Sequence, residues 1–234
     1  MKKKKITTKN LDIKQAVILC GGLGVGFKKI SKITSKPLIL VDKIPLVQHL
    51  IKYLCRFGVK KVLLICCYKY DQFKKKFHNK TIYGARIKCI NEKKRSGTSG
   101  ALYNAKKKLD KNFILSNGDT LFDINLSDLI KHFHKKKNIV FLISLKKDKK
   151  NNRFDNFRLN KDNSIKIDIK KRSSLKNTGP SICSKKILKF LNKRGSLEKD
   201  VFPKLIDRKK IYAKEYHAKF IDMRRINDLK KIQI

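Results

Sequence analysis

The chain has no tryptophan, only four prolines and only three glutamates (Glu92, Glu198 and Glu215) in 234 residues. Acid is scarce altogether: 18 Asp and Glu face 61 Lys and Arg, for a formal net charge of +43. A nucleic-acid surface gathers arginine and lysine on one face with stacking aromatics between them. Here lysines are spread over the whole length, arginines are few, and Phe and Tyr sit inside apolar runs. That distribution argues against nucleic acid as a partner and for solvated ammonium groups, whose mutual repulsion should lower stability at low salt. No apolar run approaches the roughly 18 residues a membrane-spanning helix needs. Met1 to Lys14 is a basic lead-in without the apolar core of a secretory signal. The cysteines (Cys20, Cys55, Cys66, Cys67, Cys89 and Cys183) form no C-x-x-C pair and mostly lie in apolar runs. Reduced, buried thiols are therefore expected rather than a zinc site or disulfides, which points to the cytoplasm. The histidines show no ligand spacing; His132 and His134, two apart on an expected helix, would face different directions.

What is present begins at Gln15. The run QAVILC suits a strand covered on both faces of a parallel sheet. It stops at Gly21, Gly22, Gly24 and Gly26, glycines that let a backbone approach a ligand and aim N–H groups at phosphate oxygens. Lys28, Lys29, Lys32 and Lys36 follow, placing positive charge where a polyphosphate would lie. The segment is not a Walker loop, since no Gly is followed by Lys and then Ser or Thr. It also fails the dinucleotide fingerprint, because Phe27 stands where the third glycine belongs, although Asp42 lies at the distance of a ribose-binding acid. Ile30, Ile33, Thr34 and Ser35 before Pro37 suggest an extended loop rather than a helix. Taken alone, the glycines read equally well as a turn without a ligand.

Strand-like runs alternate with helical ones over the rest of the chain, as in a doubly wound, mostly parallel α/β sheet of Rossmann type. Helices are expected at Pro45–Phe57 (stopped by Gly58), Asp71–Phe77, Ser99–Leu109, from a Ser127 cap to His134, Lys185–Leu191, Glu198–Asp207 and Arg225–Lys231. Strands are expected at Val59–Cys67, Arg86–Asn91, Asn112–Ser116 and Ile139–Leu145. Asn156–Asn160 and Ser164–Ile169 read as a small β-hairpin added to the sheet. No repeat or linker divides the chain, so residues 15–234 are expected to form one domain behind the lead-in 1–14.

Four blocks in order carry a resemblance to a known family. QAVILCGGLGVGFKKISKITSKPLILV is similar to the opening GGxGTRLxPLTxxxPKPLxPV of the sugar-phosphate nucleotidyltransferases. SGTSGAL (Ser96 to Leu102) resembles the family's LGTAGAL loop, and FILSNGDTLFDINL (Phe113 to Leu126) its strand ending in NGDTLFDIDL. FID (Phe220 to Asp222) resembles the late strand that ends in a second aspartate. Within the family the motifs are most similar to the manno-heptose 1-phosphate guanylyltransferase group.

The resemblance implies a GT-A-type nucleotide-diphospho-sugar transferase fold and a definite chemistry. A sugar 1-phosphate, perhaps of manno-heptose, would attack the α-phosphorus of a nucleoside triphosphate such as GTP, releasing pyrophosphate, in the making of surface polysaccharide. By the same resemblance Leu19, Gly21, Gly22, Gly24, Glu92, Gly97, Thr98 and Gly118 would contact the nucleotide. Lys36 and Asp119 would be catalytic, Asp119 and Asp222 would hold Mg²⁺, and Lys171, Asn177 and Gly179 would bind the sugar phosphate. The chain also departs from the pattern. Gly26 replaces an arginine, Ser35 a proline, Lys170 a glutamate, Thr178 a glycine and Arg224 a glycine. These changes keep open an alternative, a catalytically decayed homologue that retains the fold and nucleotide binding. The oligomeric state is left open, a homo-oligomer included.

Overall fold

The computed structural model describes residues 12–22, 34–147, 156–168, 173–177 and 179–222. β1 (Gln15–Leu19) lies in the middle of the main sheet, with Ala16, Val17 and Ile18 fully buried. Side chains alternate across a strand. Ala16 and Ile18 accordingly join one apolar layer and Val17 the other. This is why the run is apolar at every position rather than at every second one.

The chain then forms a short 3-10 turn at Lys36–Leu38 and the tiny ribbon β2 (Leu40–Val41) and β3 (Ile44–Pro45). α1 (Leu46–Arg56) buries Leu46, Val47, Leu50, Ile51 and Leu54 on one face. It stops before Gly58, whose φ of +83° is left-handed and favours glycine. β4 (Lys61–Cys66), α2 (Tyr70–Phe77), β5 (Thr81–Ile82) and β6 (Ala85–Asn91) follow. Then come α3 (Gly97–Asn104), β7 (Asn112–Asn117), β8 (Thr120–Phe122), α4 (Leu126–Lys135) and β9 (Phe141–Lys147). The last part holds β10 (Asn156–Leu159), β11 (Ile165–Ile167), β12 (Leu175–Asn177), β13 (Ser181–Ser184), α5 (Phe202–Asp207), β14 (Ile211–Glu215) and β15 (Phe220–Asp222).

The main sheet runs β11-β10-β12-β9-β13-β7-β1-β4-β6-β5, with β14 added beside β9. β7, β1, β4 and β6 are parallel neighbours, as is the β9–β14 pair, and these ladders are the long ones. The remaining pairings are antiparallel and none exceeds four residues. β10 and β11 form the expected hairpin, turning at Asn163 with φ +66°. The expected α/β sheet is thus the observed one, with helical layers on both faces.

Several boundaries differ from expectation. The helix expected at Ser99–Leu109 starts at Gly97 and ends at Asn104 with a separate 3-10 turn at Lys106–Lys108. The segment after Ser184 is a 3-10 turn, Lys185–Lys189, rather than a full helix. α4 is capped by Asn125 rather than Ser127: Asn125 Oδ1 accepts from Ser127 N (3.0 Å) and Asp128 N (3.3 Å). Asn125 has the extended backbone a cap requires, whereas Ser127 is already inside the first turn. His132 and His134 do diverge, His132 toward Lys214 and His134 toward Asp12. All six cysteines are free. Among the described residues no helix is long and apolar enough to cross a membrane. The expected helix Arg225–Lys231 lies outside the described residues, as does the expected loop around Gly24 and Gly26.

Candidate active site

Because β7, β1, β4 and β6 are parallel, their carboxyl ends open on one edge of the sheet. Asn117–Asp119, Cys20–Gly22, Cys67 and Glu92 follow those four strands in turn. All of these except Cys67 and Gly118 border a cleft of about 1010 Å³ whose lining includes Leu19, Gly21, Gly22, Lys36, Glu92, Gly97, Thr98, Asn117, Asp119 and Asn177. Residues from four separated blocks of sequence thus share one cleft, at the place where open parallel sheets bind ligands.

Gly118 explains how three of those blocks meet. Its N–H donates to the Leu19 carbonyl at 3.0 Å, stitching the end of β7 to the end of β1. A Cβ at this position would stand 2.9 Å from Cys20 Sγ and 3.0 Å from Pro37 Cγ. Any larger residue would push the aspartate turn away from β1 and from the Lys36–Pro37 step. Gly118 is therefore buried behind the cleft, and Asn117 and Asp119 face it. Lys36, only 7% exposed, enters from the Pro37 side. Burying a lysine in the wall of a cleft is costly unless an anion or polar group accompanies it.

The opposite wall is set by Glu92. Its N–H donates to the Cys66 carbonyl at 2.7 Å, and its Oε1 accepts from the N–H (3.0 Å) and hydroxyl of Ser96. This carboxylate thereby shapes the loop that leads into α3. Gly97 sits at φ +75° with its Cα against Gly195, where a Cβ would overlap the Gly195 carbonyl oxygen. Gly195 N donates to Ser96 O at 2.8 Å, and Ser99 N donates to Gly195 O at 3.0 Å. The Thr98 hydroxyl accepts from Leu197 N (2.7 Å) and donates to Glu198 Oε2 (3.2 Å). The SGTS loop is thus locked to the segment before α5. Electrostatics register here too: burial and the Glu92 carboxylate raise the Cys67 thiol, while the Arg95 guanidinium pulls it partly back.

The two aspartates approach one corner by different routes. The antiparallel ladder of β8 with β15 sets Asp222 opposite Thr120, the residue next to Asp119. Asp119 borders the cleft, whereas Asp222 is 2% exposed and lies behind its surface. Among the described residues Thr120 Oγ1 is buried there without a hydrogen-bond partner. The ladder brings only oxygen donors near the Asp119 turn, the donor type a small divalent cation shares with phosphate oxygens. Among the described residues no group of three or more His, Cys, Asp or Glu forms a complete metal cage.

Asn177 ends β12 on the far side of the cleft. Gly179 does not line it. That glycine is packed where a Cβ would lie 2.9 Å from Phe122 Cβ, beside a small cavity below. Gly24 and Lys171 lie outside the described residues. Sequence reasoning missed Arg95, Phe157, Ile167, Ser196, Glu198 and Lys199, all of which border the cleft. Ser196 caps the turn Leu197–Val201, accepting from Glu198 N and Lys199 N, and follows a glycine at φ +150°.

Comparison with known proteins gives a consistent result. The nucleotidyl transferase family matches residues 15–213. D-glycero-alpha-D-manno-heptose 1-phosphate guanylyltransferase of Campylobacter jejuni is 40% identical over 115 residues, covering 49% of this chain and 52% of that protein. The match to that relative therefore spans about half its length. The enzyme of the same name from Aneurinibacillus thermoaerophilus is 29% identical over 94% of this chain and 96% of its own. Among solved structures, HddC from Yersinia pseudotuberculosis complexed with GMP-PN superposes with a TM-score of 0.77 at 27% identity, covering 94% of this chain and 97% of that one. A putative glucose-1-phosphate thymidylyltransferase from Bacillus anthracis shares the fold, with a TM-score of 0.80 at 17% identity over 94% of this chain and 93% of that one. Over residues 15–213, from the start of β1 into β14, this chain belongs to the nucleotidyl transferase family.

Proposed function

We propose that the protein couples GTP to a sugar 1-phosphate, manno-heptose 1-phosphate in the first instance, giving the GDP-sugar and pyrophosphate. The family works on a nucleoside triphosphate and a sugar phosphate and generally uses a divalent metal. The guanine base and the heptose are the finer reading, supported by the names of the relatives. One observation carries the proposal: Gly21–Gly22, Lys36, Asp119 and the Glu92–Thr98 loop border a single cleft at the carboxyl ends of parallel strands.

In the reaction an oxygen of the sugar phosphate attacks the α-phosphorus. The bond from that phosphorus to the α,β-bridging oxygen breaks, and the electron pair leaves with pyrophosphate. Such a transfer needs alignment and charge stabilisation more than covalent help. The Gly21 and Gly22 backbone lets the triphosphate lie against the end of β1, and Gly24 continues that loop in sequence. Lys36 supplies a cation from the Pro37 side and follows charge as it moves onto the departing group. Glu92, Gly97 and Thr98 hold the nucleoside, with Leu19 and Gly118 fixing the floor. Asn177 orients the sugar phosphate, Gly179 supports that strand end, and Lys171 is assigned to the same phosphate. Asp119 and Asp222, with Thr120 between them, would hold Mg²⁺, which when bound offsets phosphate charge as a Lewis acid.

We place residues 15–234 in one catalytic domain, working in the cytoplasm where its thiols stay reduced. The experiment is pyrophosphate release with a panel of nucleoside triphosphates and sugar 1-phosphates. GTP with manno-heptose 1-phosphate is expected to give the highest rate, falling to background in Asp119→Asn. Equal background for both proteins on every pair rejects the proposal.

A further inference from the structure

Arg95 borders the cleft at the β6 end and has no role in the phosphate chemistry above. It sits on the loop between Glu92 and Ser96, whose shape is held from within by the Ser96 bonds to Glu92 Oε1. The other oxygen, Glu92 Oε2, lies on the Gly21 side, 3.4 Å from where a Cβ of that glycine would stand. A carboxylate oxygen and a guanidinium therefore stand on one loop, facing one cleft. The Arg95 guanidinium also pulls down the Cys67 thiol, whose Cβ stands 3.7 Å from where a Cβ of Gly21 would be.

Sheet order sets where on a nucleotide these groups fall. β6 is two strands from β1, about 10 Å at the usual inter-strand spacing. With Glu92 Oε2 reaching from the β6 end to Gly21, a base held by this loop would lie between the ends of β6 and β1, its phosphates continuing past the glycines. Guanine presents acceptors at O6 and N7, and donors at N1–H and the 2-amino group. An arginine fork matches the first pair and a carboxylate the second. Adenine would turn an amino donor toward the arginine and offers no N1–H to the acid, while pyrimidines lack N7.

We propose that Arg95 is a specificity-determining residue that selects guanine, donating to O6 and N7 of the base while Glu92 Oε2 accepts from its N1–H and 2-amino edge. This inference rests on the guanylyl reading of the site. It assigns the choice of base to one exposed side chain that can be changed without touching the core.

The test is calorimetric titration of the full chain with GDP, 7-deaza-GDP, ADP and UDP. Wild type should bind GDP roughly 5- to 100-fold more tightly than 7-deaza-GDP, the size of one bidentate base contact. Arg95→Gln should weaken GDP by a similar factor and no longer distinguish the two guanine ligands. Arg95→Lys, which keeps the charge but not the fork, should also fail to distinguish them. Circular dichroism checks that both variants fold. A wild type indifferent to N7, or an Arg95→Gln variant that weakens both ligands equally, overturns the role of Arg95 alone. A wild type that prefers ADP or UDP, or does not bind GDP, overturns the guanylyl reading and this inference with it.

Discussion

The two halves of the main sheet are built on different principles. On one side β7, β1, β4 and β6 run parallel, and their ladders are four to six residues long. On the other, β13, β9, β12, β10 and β11 are joined by antiparallel ladders of two to four residues, with β14 alone running parallel to β9. The parallel half carries the glycines, Asp119 and the Glu92 loop on one edge, so its geometry follows from strand direction alone. The antiparallel half brings Asn177 to the cleft through one short strand end, and depends on pairing between segments far apart in the chain. On the proposed reading the nucleotide side is one continuous parallel edge and the sugar side an assembled one.

That contrast is open to direct attack. The largest effect is expected in the parallel half: Lys36→Ala should lower the rate of pyrophosphate release about 10²–10³-fold, as loss of one preorganised electrostatic donor does elsewhere. Gly26→Arg is expected to raise turnover or triphosphate affinity about tenfold or more, since a cationic fork on a transferring phosphoryl group is a strong lever. Turnover at normal rates without it would remove the case for a decayed site. Asn177→Ala should raise KM for the sugar phosphate about tenfold, leaving KM for GTP unchanged, because one uncharged contact is lost. If both KM values rise together, the two halves do not divide the substrates.

Packing offers a matched pair of smaller effects. Gly118→Ala and Gly179→Ala each force a Cβ to 2.9 Å from a neighbour, Cys20 Sγ in one case and Phe122 Cβ in the other. Each should cost about 1–3 kcal/mol in denaturant unfolding. Only Gly118→Ala should also impair GDP binding, because only it displaces the aspartate turn from β1.

The smallest effect concerns the seam between α4 and β14. Burial alone would raise the Asp128 carboxyl, but Lys214 Nζ at 2.6 Å and the Tyr216 hydroxyl at 2.7 Å outweigh it and hold it below the usual range. A depressed carboxyl favours the folded state above its unfolded pKa, and that contribution disappears as pH falls through the folded value. Asp128→Asn should therefore lower Tm at neutral pH by the equivalent of under about 1 kcal/mol, given solvent screening. It should also flatten the acid limb of the Tm–pH curve, as read by thermal melts between pH 2 and 7.

The parallel half was largely legible before any coordinates. Gln15 to Ile18 are all buried because both faces are covered, and Gly58 stops α1 where expected. The cleft residues Lys36, Glu92, Asp119 and Asn177 were all named from motifs. The antiparallel half was harder to read. β13 is the four residues Ser181–Ser184, too short for a periodic signal, and becomes a strand only because β7 and β9 flank it. β14 was missed for the same reason, its place being set by β9. Asn125 outcompeted Ser127 as a cap through backbone conformation, which composition does not carry. The Ser196–Lys199 wall reaches the cleft only through Gly97 meeting Gly195, a contact between distant glycines with no local trace.

That glycine-on-glycine contact has a practical meaning for building hybrids from relatives of this enzyme. The loop at 96–99 and the stretch around 195–198 are bolted together by backbone bonds and by the Thr98 hydroxyl. Exchanging one without the other would leave a side chain where two main chains touch. The pair has to be transplanted as a single cassette, although nearly half the chain separates its parts.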